Sequence, residues 1–135
     1  MIFASAWWSV ELPQQWSGHP DGQCAAFRAD PPLGVLQISA ARKDAGPVTD
    51  QDLTEFAEER IAPEVPLDGV RFGAFSGVTA KYRKDGLLWQ EWWLRSGPLM
   101  VYVTYNVVQE HEASEQDAIA SILASLTNAR GGSAG

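Results

Sequence analysis

Apolar and polar positions alternate with a period of two through much of this chain. The alternation is plainest in Leu87-Leu88-Trp89-Gln90-Glu91-Trp92-Trp93-Leu94-Arg95. Successive side chains of a strand point to opposite faces, so this stretch presents two different surfaces. Leu88, Trp92 and Leu94 suit a core. Trp89, Glu91, Trp93 and Arg95 mix aromatic rings with both signs of charge, as a binding surface or a covered groove does.

The same pattern predicts strands over residues 7–12, 24–29 and 35–41, the last with Leu36, Ile38 and Ala40 on one face and Gln37 and Ser39 on the other. Pro13 ends the first, Trp16 falls in a turn, and Ser17-Gly18-His19-Pro20-Asp21-Gly22 reads as a loop. Leu53, Phe56, Ala57 and Ile61 then recur at helical spacing, with Thr49 as N-cap, Asp50 and Asp52 in the first turn and Pro63 as the stop. A meander comes next, with strands over 70–72, 75–83, 87–95 and 99–107. A last helix begins near Ser114, with Asp117 as the acidic partner of a capping box and Ile119, Ile122, Leu123 and Leu126 as its apolar stripe. The expected fold is α+β: one domain over 1–128, a central antiparallel meander with helices packed on it, and a flexible tail over 129–135.

Lys84-Asp85-Gly86 reads as a three-residue hairpin loop, with Gly86 in the left-handed position. That loop pairs Arg83 with Leu87 and sets Lys81 against Trp89, Thr79 against Glu91 and Gly77 against Trp93, where bare backbone accommodates the indole. Pairing Arg95 with Pro98 across Ser96-Gly97 adds Met100, Tyr102 and Thr104 to the tryptophan face. The other face gathers Val78, Ala80, Tyr82, Leu88, Trp92, Leu94, Leu99, Val101, Val103 and Tyr105, where Gln90 requires a hydrogen-bond partner. Two readings of the tryptophan face stand side by side. Either the first helix covers it through Leu53, Phe56 and Ile61, or it is a partner groove, since Trp, Tyr, Met and Arg are enriched at interface cores. Both hold if the helix covers half of it. A slip of one residue swaps the faces.

A chain of 135 residues with net charge −7 and a sequence pI near 4.7 fits one soluble core. That balance argues against nucleic acid and anionic lipid as partners. Cys24 is the single cysteine, which excludes an internal disulfide and a multi-cysteine zinc site. No signal peptide and no apolar run of membrane-spanning length is read in the sequence, so the expected compartment is the cytoplasm.

No catalytic constellation emerges. His19 lies in a Gly/Pro loop, and Glu110-His111-Glu112 does not converge on a metal centre. Cys24 opens an apolar strand and reads as a small buried hydrophobe. Asp50, Asp52, Glu55, Glu58, Glu59, Glu64 and Asp68 form a solvated acidic helix face or a docking surface for a basic partner. The chain is read as a non-enzyme without cofactor or metal.

Trp8-Ser9-Val10-Glu11-Leu12-Pro13, followed by Trp16, resembles the strand, Pro, Trp opening of the PsbP-like fold. Photosystem PsbP proteins, the Ran-binding Mog protein and the bacterial DcrB-like family share that fold. The close of the meander at Val103-Thr104-Tyr105 and of the last helix at Ile122-Leu123-Ala124-Ser125-Leu126 is similar too. The resemblance implies an α/β/α sandwich and a non-enzymatic binding or assembly role; some DcrB-like proteins hold apolar segments of secreted effectors. It carries over no photosystem role and no binding residue, and the chain departs from secreted members in showing no signal peptide or lipoprotein cysteine. The leading expectation is a cytoplasmic protein-binding domain, a chaperone or adaptor. Trp89, Trp93, Met100 and Tyr102 hold the partner, with Lys81, Arg83 and Arg95 at the rim. The partner is another protein or a second copy in a homodimer. The alternatives are an immunity-type protein that neutralises a toxin through Glu55, Glu58 and Glu59, and a carrier of a small apolar ligand.

Overall fold

The computed structural model describes residues 1–128; the tail expected over 129–135 lies outside the described residues. The elements are β1 (Ile2–Ala4), β2 (Trp8–Glu11), β3 (Trp16–Asp21), β4 (Cys24–Ala29), β5 (Val35–Arg42), α1 (Asp50–Arg60), β6 (Asp68–Phe72), β7 (Phe75–Lys84), β8 (Leu87–Ser96), β9 (Leu99–Val108), α2 (Gln116–Ala124) and β10 (Thr127–Asn128). Seven strands form an antiparallel sheet in the order β3-β4-β5-β9-β8-β7-β6, and β1-β2-β10 form a smaller one. The fold is α+β. Among the described residues no helix is long and apolar enough to cross a membrane.

Each face of the large sheet has its own cover. Leu36, Ile38, Trp92, Leu94, Val101, Val103 and Tyr105 share a core with Ile119, Ile122 and Leu123 of α2 and with Trp8 and Val10 of the small sheet. On the opposite face, Ala80 and Trp93 pack beneath Leu53 and Ala57 of α1. Thr49 caps α1 as its sequence predicts: its hydroxyl accepts from the Asp52 N–H at 3.1 Å, and the Asp52 carboxylate accepts from the Thr49 N–H at 2.9 Å. Lys43 also holds Asp52, and its ammonium, with the Thr49 N–H second, lowers that carboxyl to about 2.

The β7–β8 register differs from the expected one by one residue. Lys84 pairs with Leu87, so the turn contains only Asp85 and Gly86. Both are left-handed, with φ of 56° and 81°. A two-residue turn of this kind matches the right-handed twist of the flanking strands, and Asp-Gly is one of its preferred sequences. The slip carries β7 over: Val78, Ala80 and Tyr82 join Trp93, Glu91 and Trp89, while Lys81 and Arg83 fall opposite Gln90 and Leu88. The β8–β9 register shifts by two, with Ser96 against Leu99, which leaves its faces as expected. Gln90 finds its partner in the Thr79 hydroxyl at 3.1 Å. Gly77 lies opposite Leu94, and a Cβ there would sit 1.9 Å from the Trp93 carbonyl oxygen. Close backbone, not an overlying indole, accounts for that glycine.

Two further expectations change. Residues 16–21, expected as turn and loop, are strand β3. It lies at the sheet edge, where Pro20 gives up no inner ladder bond, and Gly18 leaves room for the rings of Phe27 and Phe3. The second helix starts at Gln116 without a side-chain cap, because Glu115 turns inward and accepts from the Tyr105 hydroxyl at 2.7 Å and the Gly34 N–H at 3.2 Å.

Trp93 is 0% exposed, and its ring fills the contact between β8 and α1. Trp93→Ala is expected to destabilise the fold by about 3–5 kcal/mol, the range for truncating a large buried aromatic. Urea denaturation measures this; a change under about 1 kcal/mol would mean that α1 does not depend on that ring.

Candidate binding site

The structure disperses the residues expected to form one partner surface. Trp93 is buried under α1 and is closed to a partner. Lys81 and Arg83 lie on the α2 side, where Arg83 pairs with Glu112 at 2.5 Å. Arg95 stays on the α1 side and holds Asp50 in the first turn of α1 at 2.7 Å. Trp89 is half-buried, its ring parallel to Tyr82 at 6.5 Å between centroids. Met100 and Tyr102 are half-buried and line one hollow with Phe56.

The α1 side contains instead a buried carboxylate that the sequence pattern does not mark as buried. Glu91 is 1% exposed. Its Oε2 accepts from the Tyr82 hydroxyl at 2.5 Å, and its Oε1 accepts from the Tyr102 hydroxyl and from Arg60 Nε at 3.2 Å. The Arg60 guanidinium also lies 5.1 Å above the Tyr102 ring. Both oxygens are engaged, so this carboxylate fastens the C-terminal end of α1 to the sheet. The sequence does hold a signal: one Glu in a strand of apolar residues, with a tyrosine on each neighbouring strand. The correct β7 register is needed to bring Tyr82 to it.

A cleft opens at another end of the molecule, where the sequence pattern marks no site. It has a volume of about 580 Å³ and lies between the 3–8 segment and the β3–β4 turn. Phe3, Trp7, Trp8, Pro20, Cys24, Ala25 and Ala40 line it, and among the described residues no ionised side chain does. Trp8 opens β2 and is 3% exposed in the core, whereas Trp7 lies in the turn before it and remains 39% exposed. Cys24 is half-buried on the cleft wall instead of fully buried. The hollow at Phe56, Met100 and Tyr102, of about 220 Å³, shares Gln23 and Ala40 with this cleft. The Arg42 guanidinium lies 5.8 Å from the centroid of Trp7. His19 is exposed on the edge strand. Among the described residues no three of His, Cys, Asp or Glu come together as metal ligands do.

No protein-family model and no curated protein matches the chain. Solved structures that share its fold include the following two. One is a Bacteroides thetaiotaomicron protein, 19% identical with a TM-score of 0.69, in a match covering 94% of this chain and 47% of that one. This chain thus spans about half the length of that protein. The other is LpqN of Mycobacterium tuberculosis, involved in cell envelope biogenesis. It is 16% identical with a TM-score of 0.55, over 90% of this chain and 82% of that one. At these identities the likeness is one of fold.

All three tyrosines of the chain carry raised phenol pKa values. Burial is the first cause in each case, and the second is donation to Glu91 by Tyr82 and Tyr102 and to Glu115 by Tyr105. Tyr82 is pushed up to about 12. A raised folded-state pKa means that the native state holds the proton longer than the unfolded one. This contribution is therefore complete below the ordinary tyrosine value near 10 and is lost as pH climbs toward 12. Absorbance at 295 nm is expected to show no phenolate step at pH 10 in the folded protein, and stability is expected to fall between pH 10 and 12. A step at pH 10 with the fold intact would contradict the burial of these hydroxyls.

Proposed function

We propose that this domain is a non-catalytic binding module that takes an apolar segment of a protein partner into the cleft beside Trp7. The observation that carries the reading is an open cleft of about 580 Å³ with an uncharged, largely apolar lining. Its size lies in the range of ligand sites, roughly 300–1,000 Å³. Trp7, on the cleft wall, stays 39% exposed, and so presents apolar surface outward as well as into the cleft. A small ligand enclosed in a pocket has no use for that outer surface, whereas a partner chain covers it. The buried Glu91 belongs to the attachment of α1, so the polar cluster on the other side of the sheet does not compete as a reaction centre.

The resemblance to PsbP-like proteins supports the same reading, because holding apolar segments is a role within that fold. It also carries the finer description of the domain as a PsbP-like α/β/α sandwich. The acidic balance and the free thiol fit a chaperone or adaptor in the reducing cytoplasm. The partner surface therefore moves from the Trp89/Trp93 strand to the other end of the sheet. Met100 and Tyr102 lie on the opposite face of the sheet, beside Phe56 of α1, and take no part in the cleft.

Peptides selected by display against the folded domain test this. Apolar sequences should be enriched, should bind at least tenfold more weakly to Trp7→Ala, and should slow alkylation of Cys24 by iodoacetamide. Trp7 is largely outside the core, so the variant should keep its far-ultraviolet circular dichroism. Peptides that bind Trp7→Ala unchanged and leave Cys24 equally reactive would place the site elsewhere. A second copy of the chain protecting Cys24 would make self-association the occupant instead.

A further inference from the structure

We infer that the segment taken up by the cleft carries a carboxylate beside its apolar residue, and that Arg42 receives it. This rests on the cleft reading and names the chemistry of the occupant. Three features of the molecule converge on it.

First, Arg42 continues the cleft floor on the same strand face. Ala40 lines the cleft, and a residue two positions further along a strand points to the same side. Second, the Arg42 guanidinium lies over the Trp7 ring, 5.8 Å from its centroid. A guanidinium held by an aromatic face keeps its in-plane N–H donors free, and their fork matches a carboxylate. Third, no carboxylate among the described residues forms an ion pair with Arg42; Arg28 and Arg71 are likewise without one there, but of the three only Arg42 lies over a ring of the cleft wall. The neighbouring Lys43 is committed to Asp52 at 2.8 Å, and Asp44, two residues from Arg42, forms no pair with it.

The protein carries a net charge of −7, so its long-range field repels an acidic segment. Selectivity for one therefore has to come from a local cation, and Arg42 is the guanidinium stacked on the cleft wall. The apolar residue of the segment enters over Ala25 and Ala40, and its carboxylate meets Arg42 at the Trp7 rim.

Fluorescence polarisation of three matched peptides tests this. Each carries the same apolar residues selected against the cleft, with Glu, Gln or Lys at the adjacent position. The wild-type domain should favour the Glu peptide over the Gln peptide by about fivefold to tenfold at low salt, less at high salt. Arg42→Gln should erase that preference, and Arg42→Glu should favour the Lys peptide. Arg42 is exposed, so both variants should fold, as circular dichroism would report. If wild type binds Glu and Gln peptides equally while Trp7→Ala still weakens both, the cleft reading stands and the role of Arg42 falls. If no peptide protects Cys24, both fall. Dodecanoate protecting Cys24 more strongly than any peptide would replace the protein segment with a small amphipathic acid, and would overturn the inference as stated.

Discussion

The two-residue turn at Asp85 and Gly86 governs the whole α1 side of the sheet. A strand pair has only two choices of face, and the turn length selects between them. With both turn residues left-handed, Lys84 meets Leu87 and every residue of β7 is assigned. Val78 and Ala80 then lie beside Trp93, where their small bulk lets α1 approach through Leu53 and Ala57. Tyr82 reaches Glu91. A loop one residue longer would move Val78, Ala80 and Tyr82 off this face and put Lys81 and Arg83 on it, so Tyr82 would no longer reach Glu91.

Given that register, Glu91 determines where α1 ends. A buried carboxylate with both oxygens engaged gains little net stability over an apolar side chain, but removing one of its partners leaves its buried charge less compensated. Its effect is thus chiefly on placement. Arg60, in the last turn of α1, must lie over Tyr102 to satisfy Glu91. At the other end, Arg95 holds Asp50 and Thr49 closes the capping box. The helix is fixed at both ends over β7 and β8, and it leaves the β3–β5 part of that face without a helix. The face is both covered and open, divided along the sheet.

The sequence carried the architecture well and the site poorly. The strands from Cys24, Val35, Phe75, Leu87 and Leu99 follow from alternation, and Thr49, Ile119, Ile122 and Leu123 mark the helices, because burial on one face imposes a period directly. The β3 strand escaped because Gly18 and Pro20 carry loop chemistry, which an edge position tolerates and a central one does not. The expected grouping of Lys81 and Arg83 with the tryptophans does not form because a strand register is a nonlocal quantity: one residue of turn length decides whether Lys81 or Tyr82 lies opposite Trp89. The Trp7 cleft could not be read at all from periodicity, since its walls come from segments distant in sequence that only the closed fold brings together.

That cleft is where the packing departs from what stability alone would select. Phe27, Leu36 and Ile38 fill the sheet under Trp8 and Phe3, and the aromatic rings there interlock, with Phe3 and Phe27 edge to face at 5.0 Å. One step further along the same strands the residues shrink to Ala25 and Ala40. Interiors elsewhere in the molecule follow the usual rule of close packing, and a larger aliphatic side chain at either alanine would extend the core and bury more surface. Small residues facing an apolar opening, beneath a tryptophan left half outside, forgo that gain. Folding does not require the omission, since the core beside it is complete. In the proposed function, a segment from another chain supplies the missing apolar volume and covers the exposed part of Trp7.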